Sequence, residues 1–187
     1  MPVSAFVVKV PEAESAVGEL RNRFDATAML GVPPHITILF PFMHPEEITS
    51  DVLLQAQIAL SPVPSFGFSL AGVGRFPTTT YLSPVPPEPF VALTTALIEC
   101  FPAFRPYGGA HEGVVPHLTV AHGDAANAHA AAVELEQRLG ALKPIRTECN
   151  SVTLLENSSG RWKEMHVFDL PNRRQGSETR ARAAGVE

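Results

Sequence analysis

Cysteine is scarce in this chain: Cys100 and Cys149 are the only two in 187 residues, and they form no CxxC pair. Two such residues cannot build a disulfide framework, and a reducing, cytoplasmic setting is the expectation. No stretch approaches eighteen consecutive apolar residues, so no transmembrane helix and no membrane partner are expected. Met1 to Val10 lacks a basic leader and reads as a first strand, not a signal peptide. Charge is also sparse. Charged residues make up 18% and the formal net charge is −5, which excludes a protein that wraps long duplex nucleic acid by bulk electrostatics. A local pocket on an acidic protein can still take a small anion. No GxGxxG follows a strand and opens a helix, and there is no GxxxxGK[ST] loop, so nothing supports ATP use. The histidines show no metal-ligand spacing, and no metal or other cofactor is expected.

What the chain does contain is apolar residues at 45% and 18 prolines. The first suffices for a core, and the second cut the chain into short elements. Ser4–Val10 predicts a strand, and Glu12–Phe24 an amphipathic helix on Ala16, Val17 and Leu20. Pro33-Pro34 launches a strand over His35–Phe40. Pro45–Leu60 predicts a helix, Phe66–Phe76 a strand bent at Gly72 and Gly74, and Thr79–Leu82 its partner. Phe90–Phe101 predicts a helix, Val115–Ala121 a strand, and the Ala-rich Asn127–Leu142 a helix. Glu148–Leu155 and Trp162–Leu170 read as a closing hairpin. Residues 172–187 turn polar and read as a disordered tail. The interleaved order favours an α+β fold with antiparallel sheets, in one domain over 1–171.

One pattern occurs twice. Val32-Pro33-Pro34-His35-Ile36-Thr37-Ile38 matches Val115-Pro116-His117-Leu118-Thr119-Val120. Of the seven histidines, only these two have Ser or Thr two positions on. Alternate residues of a strand share a face, so His35 with Thr37, and His117 with Thr119, lie opposite their aliphatic neighbours. The aliphatic side suits a core; the His/Thr side does not, without partners. A single strand histidine is more often a satisfied partner of backbone or carboxylate. The duplication argues for more. Two imidazoles that titrate near neutrality can accept and donate a proton, and two hydroxyls can hold anionic oxygens. These are parts for displacement at a phosphodiester.

The paired motifs, their spacing and their strand context resemble the 2H phosphoesterase superfamily, nearest its 2′-5′ RNA ligase and cyclic phosphodiesterase branch. The resemblance runs from Ser4 to about Leu170, and Trp162–Leu170 is similar to that family's last strand. It implies a bilobal fold of two antiparallel sheets with outer helices and pseudo-twofold symmetry, the two motif strands lining a central cleft. It implies His35 and His117 as acid and base, and Thr37 and Thr119 as phosphate binders. Implied substrates are 2′,3′-cyclic phosphates or 2′-5′ linkages of RNA ends or nucleotides. A monomer is expected.

Further candidates follow from residue type. Arg75 could offset phosphate charge, as could Arg161 and Lys163. Tyr81 and Trp162 could stack on a base. Each of these competes with an ordinary surface or packing role. Cys100, in an apolar helix, reads as a small hydrophobe and not as a nucleophile. The rival to an enzyme is a non-catalytic module that uses the same cleft to bind nucleotides or RNA ends.

Overall fold

The computed structural model describes residues 1–109, 113–141 and 144–172. In chain order the elements are β1 (Ser4–Lys9), α1 (Glu14–Phe24), α2 (Ala26–Met29), β2 (His35–Leu39), α3 (Ser50–Leu60), β3 (Phe66–Phe76), β4 (Thr79–Val85), α4 (Glu88–Cys100), β5 (Leu118–His122), α5 (Ala125–Ala141), β6 (Ile145–Cys149), β7 (Ser151–Glu156) and β8 (Lys163–Asp169). The fold is α+β. The expected tail beyond Asn172 lies outside the described residues.

Among the described residues the strands form one antiparallel sheet of eight, in the order β6-β3-β4-β5-β2-β1-β7-β8. Where the sequence predicts two sheets, the structure joins two four-stranded halves edge to edge. The joint is the pair Ile36↔Leu118, between β2 and β5. Each motif strand is thus the innermost strand of its half. The reason is burial: Ile36, Ile38, Leu118 and Val120 are all buried in the main core. Strands this apolar on one face are most stable away from an edge. Truncating Ile36 or Leu118 to Ala would cost about 2–5 kcal/mol.

The helices cover that aliphatic face. α1 turns Ala16, Val17 and Leu20 inward and packs on β5, while α4 turns Phe90, Leu93 and Leu97 inward and packs on β2. Each motif strand is therefore backed by the helix that leads into the other one. α1 ends at Asp25, whose extended backbone breaks the helix and whose carboxylate accepts from Thr27 N–H to cap α2. α3 starts at Thr49, which accepts from Val52 N–H, as an N-cap threonine should. Ala128, Ala131 and Ala132 let α5 lie close on the sheet.

Two details escape a reading of the sequence. The strand predicted over Glu148–Leu155 is two strands. β6 pairs with β3 in one half, and after the single residue Asn150 the chain enters β7, which pairs with β1 in the other half. The bend predicted near Gly72 is a register shift between Leu70 and Gly72, the form a glycine-tolerated bulge takes.

Candidate active site

Opposite the helices, the second face of the sheet carries His35, Thr37, His117 and Thr119, all half-buried. In the antiparallel register set by Ile36↔Leu118, His35 falls opposite Thr119 and Thr37 opposite His117. Opposed side chains on one face stand about 5 Å apart at Cβ and diagonal ones about 7–8 Å. The four residues make a parallelogram, with the imidazoles on one diagonal and the hydroxyls on the other.

Both rings are held in the same way. His35 Nδ1 lies 2.8 Å from the carbonyl oxygen of Pro33, and His117 Nδ1 lies 2.7 Å from that of Val115. A carbonyl can only accept, so Nδ1 carries the hydrogen in each ring. Nε2 is left as the exchangeable position of both. The proline-marked turn before each motif therefore supplies the carbonyl that sets its tautomer. Among the described residues neither Thr37 nor Thr119 gives its hydroxyl to a protein partner.

Burial dominates the electrostatics. It pushes His35 down to about 4 against the upward pull of the Pro33 carbonyl, with the Arg21 guanidinium and His117 adding to the fall and Asp25 opposing it. His117 is lowered for the same first reason, desolvation, and the Val115 carbonyl opposes it. Arg21, in the last turn of α1, and Asp25, the residue that ends it, are themselves a buried ion pair 3.1 Å apart. The loop that follows carries Pro33.

Among the described residues, aromatic rings flank only one of the two motif histidines. Tyr81 is the cross-strand partner of Thr119. Its ring sits 5.2 Å from His117, and Phe76 sits 5.4 Å from the same imidazole. Tyr81 lies flat because its partner across β3 is Gly74, where a Cβ would fall inside the tyrosine ring. His35 instead has Lys9 as its cross-strand partner on β1. Lys9 and Phe76 are the site neighbours that the motif reasoning passes over. A lone lysine in the alternation of β1 is the signal for the first, since it had to face away from the core.

The other candidates divide. Trp162 is on the same face, over the His35 half, its ring 6.1 Å from Phe40 in a small apolar cluster with Val7, Val32 and Leu155. Arg75 is not brought to the histidines. It neighbours Gly74, which faces Tyr81, so alternation turns Arg75 to the helix side. There its Nη1 donates to His129 Nδ1 at 3.0 Å on α5. Arg161 is exposed, and Lys163 pairs with Glu156 at 3.0 Å. Cys100 is partly buried and Cys149 buried. Desolvation raises both thiols, the second to about 12, so neither is an activated nucleophile. No three His, Cys, Asp or Glu side chains converge as metal ligands among the described residues.

A family model described as the 2′-5′ RNA ligase superfamily matches residues 9–161, a span that holds both motifs. The chain belongs to that superfamily. Several solved structures share its fold. TT0787 of Thermus thermophilus is 18% identical with a TM-score of 0.60, over 91% of this chain and 99% of that one. E. coli LigT complexed with 3′-AMP is 14% identical with a TM-score of 0.56, over 91% and 99%. LigT complexed with NADP+ is 15% identical with a TM-score of 0.55, over 91% and 98%. No curated protein matches the chain. No helix among the described residues is long and apolar enough to cross a membrane.

Proposed function

We propose that this superfamily member is a phosphoesterase that acts on 2′,3′-cyclic phosphates or 2′-5′ linkages of RNA ends or nucleotides, with His35 and His117 as its acid–base pair. The observation that carries the reading is the matched tethering of the two rings: each Nδ1–H is spent on a carbonyl two residues upstream, on one open face. The other ring nitrogen of each is then the one free to exchange a proton with a phosphodiester between them.

For a 2′,3′-cyclic phosphate the chemistry balances as follows. Nε2 of a neutral histidine takes a proton from water as the water oxygen bonds to phosphorus. The bond from phosphorus to one ribose oxygen breaks, and that oxygen takes a proton from Nε2–H of the second, protonated histidine. A phosphomonoester and a free hydroxyl result, and the two rings have exchanged protonation states. With an RNA 5′-hydroxyl in place of water the same steps join two ends. Thr37 and Thr119, on the other diagonal, donate to the non-bridging oxygens, whose charge grows in the transition state. The site needs neither ATP nor a metal ion for these steps. That LigT structures hold 3′-AMP and NADP+ supports ligands of nucleotide size.

A panel of 2′,3′-cyclic nucleotides and 2′-5′ dinucleotides, followed by mass spectrometry with EDTA-treated protein, tests the reading. Turnover to phosphomonoesters is expected. Saturable binding with no turnover on any member would instead make the cleft a binding module.

A further inference from the structure

The two histidines share one kind of ring tether, yet the carbonyls that hold them are anchored differently. Val115, which holds His117, is 55% exposed. Pro33, which holds His35, follows Val32, and Val32 is only 7% exposed. The connection that carries them starts at Asp25, itself buried. Its carboxylate receives four hydrogen bonds. Oδ2 accepts from Arg21 Nε at 3.2 Å and Nη2 at 3.1 Å. Oδ1 accepts from the Thr27 N–H at 3.0 Å and the Thr27 hydroxyl at 2.7 Å. The Thr27 carbonyl accepts from the Val32 N–H at 3.2 Å. The next carbonyl along the chain from Val32 is that of Pro33, 2.8 Å from His35 Nδ1.

Stability alone does not account for this arrangement. Among the described residues Arg21 and Asp25 form the only ion pair with both side chains buried. Apolar residues of the same size are often at least as stable in such a place. Nor does capping need a charge, since a hydroxyl caps a helix as well and Thr49 does so for α3. α2, between Asp25 and Val32, is four residues long and has no buried residue. Packing does little to hold it, so its position depends on the bonds to Asp25. At the His35 ring Arg21 pulls the pKa down and Asp25 pulls it up. The two charges oppose each other there, and what is left of the pair is its effect on position.

We propose that Asp25, locked by Arg21, is a positioning residue for His35: it fixes the loop through Thr27 and Val32 so that the Pro33 carbonyl keeps the ring hydrogen on Nδ1 and leaves Nε2 for proton exchange. The catalytic value of this rests on the proposed phosphoesterase reading; the tether itself does not. His117 is the internal control, because its carbonyl comes from another connection.

The test is 15N NMR of the imidazoles in the full chain, at a pH where both rings are neutral. Both should show the Nδ1–H pattern in wild type. Arg21→Met/Asp25→Ser removes both charges and keeps a capping hydroxyl. In it the His35 signals should move toward the Nε2–H form that an untethered imidazole prefers, and those of His117 should stay. An unmoved His35, or equal movement of both rings, would overturn the proposal. If that variant does not fold, Thr27→Ala decides. It lies at an exposed position, loses only the hydroxyl bond, and should move His35 alone, in the same direction and by less; no movement there overturns the proposal too. On a 2′,3′-cyclic nucleotide the double variant should lower kcat by up to about 100-fold with KM unchanged, since Asp25 touches no substrate. A raised KM with wild-type kcat would overturn the positioning role. If the wild type turns over no substrate, the phosphoesterase reading fails, and the NMR measurement still decides the tether.

Discussion

Ile36 and Leu118 are paired across the two central strands, and both are buried beneath helices. The pair does two things at once. It joins the halves of the sheet through the core, and it fixes His35 and His117 as diagonal neighbours on the face above. One residue of slip in either strand would turn its histidine into the core and its two aliphatic side chains to solvent. Core packing therefore protects the geometry of the site.

From that geometry, His35→Ala and His117→Ala should each lower kcat/KM on a cyclic nucleotide by roughly 10²–10⁴. The double variant should lose less than the product of the two, because the proton transfers act as a unit. Thr37→Val and Thr119→Val keep the shape and remove one hydrogen bond to a charged oxygen, about 1.5–3 kcal/mol, or roughly 10- to 100-fold. All four should keep the wild-type circular dichroism spectrum, since the side chains are on the open face. A folded histidine variant with wild-type turnover would end the two-histidine mechanism.

The pH–rate curve should be bell-shaped and acid-shifted. The proposed mechanism needs one imidazole neutral and one protonated, and burial lowers both, His35 to about 4. The maximum of kcat/KM, which reports the free enzyme, should fall below the ordinary histidine value of 6.5. An anionic phosphate between the rings favours their charged forms. The maximum of kcat should therefore lie at higher pH than that of kcat/KM. Coincident maxima would mean that the phosphate does not sit between the histidines.

His35 should also make the fold sensitive to acid. Its folded value of about 4 lies below the ordinary 6.5, so between them the unfolded chain binds more protons. Stability contributed by the neutral ring is complete above pH 6.5 and is lost as the pH falls toward 4. The loss is at most roughly 3–4 kcal/mol, less for a ring with one edge in water. Urea midpoints compared at neutral pH and near the folded value of about 4 should fall further for wild type than for His35→Gln. Equal falls would show that the ring is not desolvated.

Gly74 and Tyr81 should be coupled. Gly74→Ala places a methyl inside the tyrosine ring, and overpacking of this kind costs about 1–3 kcal/mol. The ring must swing away from His117, so activity should fall with stability. In Gly74→Ala/Tyr81→Ala the clash is gone and the melting temperature should recover, a non-additivity that a thermal melt in a double-mutant cycle reads directly. Additive losses would mean that the two side chains do not meet.

The repeated Pro-His-aliphatic-Thr frame, the faces of its strands, most element positions and the α+β class are all legible in the chain before it folds. These are local properties. Strand alternation and proline turns act within a few residues, so His35/Thr37 and His117/Thr119 stand out wherever the chain later goes. Which strands meet is settled at long range. Nothing local says that β2 pairs with β5, that Asn150 divides one apparent strand between two halves, or that Lys9 faces His35. The same holds for Arg75. Its type suited a phosphate, but the bulge near Gly72 and the tyrosine lying over Gly74 set which side of β3 it leaves from, and it leaves toward α5. Pairing partners are chosen by burial summed over the whole core, and a charge's usefulness depends on the face that this global choice assigns to it.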